Sequence, residues 1–316
     1  MTDPKGDQAF RRQDTTLGRW PEMTYGGVQS FLRRNYSRDL TGVDVAVTGV
    51  PFDNAVTFRP GCRLGPQAIR AGSAQLAELK AFPWGIDPFE TLSVVDYGDV
   101  HLDPHHPETV APAIEAHADA ILSAGARMLS LGGDHSIALP LLRAHAKVHG
   151  PLALIQFDAH CDTWEDDGSR IDHGTMFTRA VQEGIVDPAR STQVGLRTHN
   201  DADLGFQVLT SPWIHRNGID AAIEVARSRA GEAPVYVSFD VDGMDPAFAP
   251  GTGTPVPGGL ASWQALEFIR GLDGLALTGM DVVEVSPPYD HAEITAIAAA
   301  TVAHDWLCLL ARKKAR

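Results

Sequence analysis

The chain has 316 residues, of which 44% are hydrophobic, and its formal net charge at pH 7 is −14. This acidity argues against nucleic acid or an anionic membrane surface as a partner, because both require clustered Lys and Arg side chains. The three cysteines, Cys62, Cys161 and Cys308, are too few and too scattered for a disulfide framework, which indicates a reducing compartment.

Short β-branched runs alternate with segments of helical period along most of the chain, a pattern typical of βα units and a mainly parallel sheet. The predicted strands are 45–50, 92–96, 128–131, 152–157, 192–196, 235–239 and 275–283. The predicted helices are 65–79, 109–124, 136–149, 175–183, 219–230, 262–271 and 294–310.

No linker or shift in composition divides these elements, so we expect one α/β domain over residues 41–316. Residues 1–40 contain no clear strand and helix pair and are predicted to form an arm on the domain or on a neighbouring subunit. The amino terminus lacks the apolar segment of a signal peptide, and the apolar stretch around 294–303 is too short to span a bilayer. We therefore expect a cytoplasmic protein.

Candidate site residues follow four of the predicted strands. Asp158, His160 and Asp162 come directly after the apolar run 152–155. Residues two apart on an extended chain point the same way, so this spacing directs three donors into one crevice. The other strand ends carry His135, Asp240, Asp242 and Glu284. Because the carboxyl ends of parallel strands lie along one edge, where ligands bind, these residues are expected to converge.

The expected site is rich in oxygen donors: four carboxylates and two imidazoles, a set that favours Mn²⁺ over zinc. Six protein ligands are too many for one catalytic ion but suit two ions that share bridging carboxylates. Such a pair can hold a hydroxide and lower the pKa of its parent water, which predicts a hydrolase. The alternative is that these residues cap helices, as His135 could before Ser136. Three buried ionisable groups side by side are costly without a cation, which disfavours it.

Five motifs together resemble the ureohydrolase family of arginases and agmatinases, and most closely the agmatinases. They are Gly132-Gly-Asp-His135, Asp158-Ala-His-Cys-Asp162, His173-Gly-Thr-Met-Phe177, Ser238-Phe-Asp-Val-Asp-Gly-Met-Asp-Pro246 and Asp281-Val-Val-Glu-Val-Ser-Pro287. The resemblance implies a single-domain, three-layer α/β/α sandwich with two Mn²⁺ ions per subunit. It also implies hydrolysis of a guanidino group to urea and an amine, and a homo-oligomer, commonly a trimer or a hexamer.

The resemblance also assigns roles to individual residues. It implies that one manganese is bound by His135, Asp158, Asp162 and Asp240, and the other by Asp158, His160, Asp240 and Asp242. Glu284 would hold the guanidinium by paired charge-assisted hydrogen bonds. His173 would act as a proton shuttle to the leaving amine. The alternatives are that His173 is a loop histidine near the helix at Thr175 and that Glu284 is a structural carboxylate paired with an arginine.

The expected substrate is agmatine, which would be hydrolysed to putrescine and urea. Arginases have an Asn after the D-x-H-x-D motif that helps to hold the α-carboxylate, whereas this chain has Thr163-Trp164. Trp164 could line a channel for the tetramethylene chain or could belong to the core. A guanidino acid hydrolase acting on 4-guanidinobutyrate or 3-guanidinopropionate is the nearest alternative, although Met176 stands where Pro would have favoured it. A non-catalytic, metal-binding regulatory homologue is an alternative from another class.

Overall fold

The structure is a computed structural model that describes residues 16–17, 24–103, 105–165, 167–168, 170–200 and 202–316. Its strands are β1 (Asn35–Tyr36), β2 (Val45–Val50), β3 (Val94–Asp99), β4 (Arg127–Gly132), β5 (Ala153–Phe157), β6 (Thr192–Leu196), β7 (Gln207–Thr210), β8 (Pro234–Asp240) and β9 (Ala276–Val283). Its α-helices are α1 (Gly65–Ser73), α2 (Val110–Ser123), α3 (Ala138–His149), α4 (Met176–Gln182), α5 (Ser211–Asn217), α6 (Ile219–Ala230), α7 (Ser262–Gly271) and α8 (Ile294–Lys314).

The strands form one sheet in the order β1-β3-β2-β4-β9-β8-β5-β6-β7, and every neighbouring pair is parallel. Parallel strands need crossover connections, which place helices over both faces of the sheet. The strands β4, β9, β8 and β5 are contiguous at the centre. Their carboxyl ends therefore make one continuous edge, where the predicted ligands lie.

Helices cover the two faces in two groups, which confirms the predicted three-layer α/β/α sandwich. Contacts link α1, α5, α6, α7 and α8 in one layer and α2, α3 and α4 in the other. Side chains of β5 alternate between the layers: Ile155 and Phe157 join one buried cluster and Leu154 the other. This alternation of apolar residues on both faces is expected for a strand that is covered on each side.

Helix α8 is longer than predicted, since it continues from Ile294 to Lys314. Its length and mean hydropathy of 1.6 would suit a membrane span, but 78% of its most apolar window is buried inside the protein. Trp306, which is fully buried, lies in the core of one layer. The burial accounts for the apolar composition of this helix as that of a core helix.

Three elements were not predicted from the sequence. Strand β7 and helix α5 follow each other directly, and β7 is a short, half-buried strand at the edge of the sheet, so its pattern of hydrophobic residues is weak.

Strand β1 has two residues and lies within the segment predicted as an arm. Just before it, Phe31 and Leu32 are fully buried, and the Phe31 backbone N–H donates to Asp96. Residues 1–15 and 18–23 of the predicted arm lie outside the described residues.

Candidate metal centre

His135 stands just beyond β4 on a turn that allows no side chain at Gly133. A Cβ there would lie 1.8 Å from the Phe52 carbonyl oxygen. The backbone N–H of Asp134 donates to that same oxygen at 2.7 Å. The Asp134 carboxylate accepts from the backbone N–H groups of Ser136 and Ala55, so it faces away from the centre and holds the turn. The glycine is therefore required for the close approach that positions His135.

The imidazole of His135 directs one nitrogen at three carboxylates. Its Nδ1 lies 3.1 Å from an oxygen of Asp158, 2.9 Å from Asp162 and 3.3 Å from Asp240. Among the described residues this buried Nδ1 has no hydrogen-bond partner of acceptable geometry. Because buried polar atoms are normally satisfied, a nitrogen left without a partner in front of three carboxylate oxygens indicates the position of a cation.

A second group of donors adjoins the first and shares Asp158 with it. His160 Nδ1 lies 3.0 Å from Asp242 Oδ2 and 3.5 Å from Asp158 Oδ1. In each of the trios His135–Asp158–Asp240 and Asp158–His160–Asp242, the ligand atoms lie within 4.8 Å of one another. The structure thus brings all six predicted metal ligands together, in two sets joined by a common carboxylate. This arrangement suits two ions side by side.

Asp158, His160 and Asp162 do not converge by the alternation of side chains along a strand. Strand β5 ends at Phe157, and Asp162 has a φ of 52°, in the left-handed region that non-glycine residues rarely occupy. The loop instead folds back on itself, and the backbone N–H of His160 donates to Asp158 Oδ1 at 2.6 Å. The structure places the three side chains in one crevice by means of this folded loop.

Two glutamines support the site without having been identified from the sequence. Gln156 Nε2, on β5, donates to Asp158 Oδ2 at 2.8 Å and to the His160 carbonyl oxygen at 3.1 Å. Gln193 Nε2, on β6, donates to Gln156 Oε1 at 2.6 Å and so fixes the orientation of that amide. The only sign of this role in the sequence is position. Gln156 stands two residues before Asp158, and both glutamines lie on the same face as the ligands.

Electrostatics shows that the cluster needs positive charge. Burial, followed by the nearby charges of Asp242 and Asp158, raises the pKa of Asp240 well above its ordinary value. Burial and repulsion from Asp158 likewise raise the pKa of Asp162 to about 7. Cations held among these carboxylates would remove that repulsion and allow all of them to ionise. The donor set and its charge therefore fit two divalent metal ions.

Glu284 lies beside the centre at the end of β9, with a left-handed φ of 64°. Its backbone N–H donates to the Gly133 carbonyl oxygen at 2.9 Å. Its Oε1 accepts from the His135 backbone N–H at 2.8 Å, and its Oε2 from the Cys62 thiol at 3.4 Å. A strained conformation of this kind costs on the order of 1–3 kcal/mol and is typical of functional sites. The strain turns the carboxylate into the site instead of along the strand.

His173 contacts Glu284 and Thr57, not the start of the helix at Thr175. Its Nδ1 lies 3.0 Å from Glu284 Oε1, and its Nε2 lies 3.0 Å from Thr57 Oγ1. Burial by itself would lower the pKa of His173, but the hydrogen bond and the charge of Glu284 outweigh it and raise the pKa to about 9. The imidazole is therefore protonated at neutral pH.

Trp164 lies at the wall of the crevice and not in the core, since 36% of it is exposed. Its ring centroid is 6.2 Å from that of His160, and a Cβ at Gly174 would lie 2.7 Å from its indole. Its backbone N–H donates to the Gly174 carbonyl oxygen at 3.1 Å. The indole thus packs against the residue that follows His173, beside a predicted metal ligand.

The acidic residues after Trp164 have structural partners where they are described. Asp172 accepts from the Gly174 backbone N–H at 2.8 Å and pairs with Arg170 at 2.8 Å. Asp167 is exposed, and Asp166 lies outside the described residues.

Comparisons with known proteins agree with this geometry. A model of the Arginase family matches residues 43–308. An agmatinase of Chromobacterium violaceum is 61% identical over 98% of this chain and 96% of its own length. A crystal structure of a hypothetical agmatinase from Burkholderia thailandensis has a TM-score of 0.96 and 58% identity, with 97% of each chain covered. Proclavaminate amidino hydrolase from Streptomyces clavuligerus has a TM-score of 0.88 and 39% identity, covering 92% of this chain and 99% of its own. The chain belongs to the Arginase family.

Proposed function

We propose that the protein is a metal-dependent ureohydrolase that converts agmatine and water into putrescine and urea. The observation that carries this proposal is the buried carboxylate of Glu284, which lies between the donors for two metal ions and a protonated His173. The high identity to agmatinases over nearly the whole chain supports the choice of substrate.

Glu284 is the residue that would bind the guanidinium. Its Oε1 already accepts two hydrogen bonds, from the His135 backbone and from His173, whereas the contact of Oε2 is the weak donor of Cys62. Oε2 therefore has free lone pairs to offer to a guanidinium N–H, and a carboxylate favours this cation in a site screened from water. Hydrogen bonds to Oε2 would hold the guanidinium carbon against the metal ligands.

His173 would supply the proton that the leaving amine requires. The raised pKa, about 9, keeps protons on both ring nitrogens, with Nδ1 facing Glu284 and Nε2 facing Thr57. Expulsion of an amine as an anion has a prohibitive barrier, so a positioned acid beside the guanidinium site accelerates this step.

The metal ions would bind as two neighbours, one at His135, Asp158, Asp162 and Asp240, the other at Asp158, His160, Asp240 and Asp242. When bound, they would acidify a water molecule for attack on the guanidinium carbon. We propose Mn²⁺ for both positions, because four of the six donors are carboxylates. A homo-oligomer, such as a trimer or a hexamer, and a cytoplasmic location belong to the same proposal.

A guanidino acid is the second candidate substrate. Proclavaminate amidino hydrolase, at 39% identity, has the same fold but is named for a different substrate. The two candidates differ in the charge of the distal group, an ammonium or a carboxylate, while the reacting guanidinium is the same.

The test is urea release by the Mn²⁺-loaded protein, offered agmatine, 4-guanidinobutyrate, 3-guanidinopropionate and arginine separately. We expect agmatine to have the highest kcat/KM, and Asp158→Asn, which keeps the shape of the side chain, to lose both metal and activity. A higher kcat/KM for either guanidino acid would replace the substrate and keep the chemistry. No urea from any of the four would refute the proposed function.

A further inference from the structure

The second ring nitrogen of His135 begins a buried chain of hydrogen bonds that leads away from the metal ligands. Nε2 lies 2.7 Å from Ser238 Oγ, which in turn lies 2.7 Å from Asp281 Oδ1. The other carboxylate oxygen of Asp281 lies 2.8 Å from the Tyr236 hydroxyl. Ser238, Asp281 and Tyr236 are all fully buried.

The register of the sheet places these residues together. Ser238 on β8 is the direct partner of Asp281 on β9. Tyr236, Ser238 and Asp240 alternate along β8 and therefore share one face of the strand. The strand that delivers the metal ligand Asp240 thus also delivers the two hydroxyl groups that bind Asp281.

Hydrogen-bond directions in the chain can be deduced from its donors. An ionised carboxylate only accepts, and Asp281 receives the hydroxyl protons of both Ser238 and Tyr236. Ser238 has one hydroxyl proton, so once that proton points to Asp281 its oxygen accepts from His135. His135 then carries its proton on Nε2, and its Nδ1 lone pair faces Asp158, Asp162 and Asp240.

Burying the Asp281 carboxylate costs free energy of folding. Among the residues that the structure describes, Asp281 has no ion pair with Lys or Arg, and burial raises its pKa. Replacing buried ionic groups by apolar residues of similar volume is often neutral or stabilising. A metal-binding histidine usually donates its second ring N–H to a hydrogen-bonded partner that orients the ring and makes it more basic. Here the direct partner of His135 is Ser238, and the buried Asp281 carboxylate holds Ser238.

We propose that Ser238, Asp281 and Tyr236 are positioning residues that select the tautomer of His135 and thereby set the affinity of one of the two metal positions. The hydrogen bonds of the three residues lead to His135 and not to His160, so the position containing His160 and Asp242 depends on them less. The inference rests on the metal centre of the proposed function, but it does not depend on which guanidino compound is the substrate.

The experiment is a titration of the metal-free protein with Mn²⁺ in competition with a chelator, with metal content measured after dialysis. For Ser238→Ala, which breaks the chain, we expect one of two binding steps to weaken by roughly 10–100-fold and the other to be unchanged. Asp281→Asn should weaken the same step. Tyr236→Phe removes one donor to Asp281 and should have the smallest effect.

Thr278→Val is the matched control. Thr278 lies on β9 and donates a buried hydroxyl to the Val235 carbonyl oxygen, outside the chain, so its removal should leave both binding steps unchanged. Wild-type affinity at both steps in Ser238→Ala and Asp281→Asn would overturn the inference. An equal loss at both steps, with a lower Tm of the metal-free protein, would also overturn it, because it would indicate general damage to the fold.

Urea release is measured separately on the same proteins. A wild type that binds two Mn²⁺ ions but does not hydrolyse agmatine would refute the proposed substrate, while the binding steps would still decide the role of the chain.

Discussion

The Nδ1 of His173 lies 3.0 Å from Oε1 of Glu284, so the predicted proton donor and the predicted guanidinium ligand form one electrostatic unit. Substitution of the carboxylate must therefore change the acidity of the imidazole. The same contact also explains why a loop histidine that is 9% exposed keeps its proton.

The first prediction concerns the acidity of His173. In Glu284→Gln, which removes the charge and keeps the shape, the pKa of His173 should fall from about 9, because the carboxylate that most strongly opposes the effect of burial is lost. NMR titration of the imidazole in the metal-free protein measures this change. An unaltered pKa near 9 in the variant would contradict the assignment.

The same contact has a consequence for pH dependence. The pKa of His173 is higher in the folded protein than in the unfolded chain, so its contribution to stability is complete below pH 6.5 and is lost as the pH rises through about 9. If this imidazolium is the proton donor, kcat should also decline above pH 9. The decline of Tm should therefore fall mainly between pH 6.5 and 9, whereas the decline of kcat should have its midpoint near pH 9; pH profiles of Tm and of kcat measure the two.

The second prediction concerns the space in front of Glu284. A Cβ at Gly253 would lie 3.3 Å from Glu284 Oε2 and 3.2 Å from the Arg59 carbonyl oxygen, so the neighbours would have to move. In Gly253→Ala we expect kcat/KM for agmatine to fall on the order of 10-fold, because small misplacements in a reacting geometry are costly. Steady-state kinetics measures the loss. Metal content should match wild type, and a simultaneous loss of manganese would mean that the methyl group acts elsewhere.

The third prediction concerns Trp164 as a wall for the substrate chain. Each methylene that leaves water contributes about 0.8 kcal/mol, so partial cover of four methylenes by the indole corresponds to roughly 10-fold in KM. Trp164→Ala should raise KM for agmatine by that order with little change in kcat, and Trp164→Phe should restore most of the affinity.

A neutral analogue separates the two ways in which the indole could act. If Trp164 contributes only apolar cover, KM for butylguanidine, which lacks the ammonium, should rise as much as KM for agmatine. A larger rise for agmatine would add a cation–π contribution. An unchanged KM for both compounds would exclude Trp164 from the substrate path.

The fourth prediction concerns stability away from the site. Arg70 and Asp96 form a two-pronged ion pair, with N–O distances of 2.8 and 3.0 Å and side chains 10% and 0% exposed. Arg70→Met leaves a buried carboxylate without its cation and should lower the free energy of unfolding by about 3–5 kcal/mol.

An exposed ion pair provides the control for this prediction. Lys147 and Asp119 are 2.9 Å apart, a similar distance, but their side chains are 52% and 42% exposed. Lys147→Met should cost at most about 1 kcal/mol. Urea denaturation of both variants measures the difference, and equal losses would contradict the role of burial.

The sequence was sufficient to predict what depends on local pattern and strand order. Strands β2 and β6 and helices α6 and α7 have the predicted bounds, because each has a clear period that ends at turn residues. The convergence of His135 with Asp240 followed from the rule that parallel strand ends share an edge.

Features that depend on contacts between distant segments could not be predicted. The left-handed φ of Glu284 accompanies a hydrogen bond from its backbone N–H to the carbonyl oxygen of Gly133, which is distant in the sequence. The contact between His135 and Ser238 joins residues 103 positions apart and requires the register of β8 against β9. Strand β7 escaped prediction because only one of its four residues is buried.

The last strand in the sequence, β9, lies in the middle of the sheet, between β4 and β8. Its position has a consequence for how the molecule is made. During synthesis, the strands that carry His135 and Asp240 cannot come into their final alignment before residues 276–283 have left the ribosome. Contacts across such long separations form late and slow the folding of a chain. A nascent chain that contains every predicted metal ligand but not β9 should therefore lack the complete two-metal centre, because His135 is not yet aligned with Asp240.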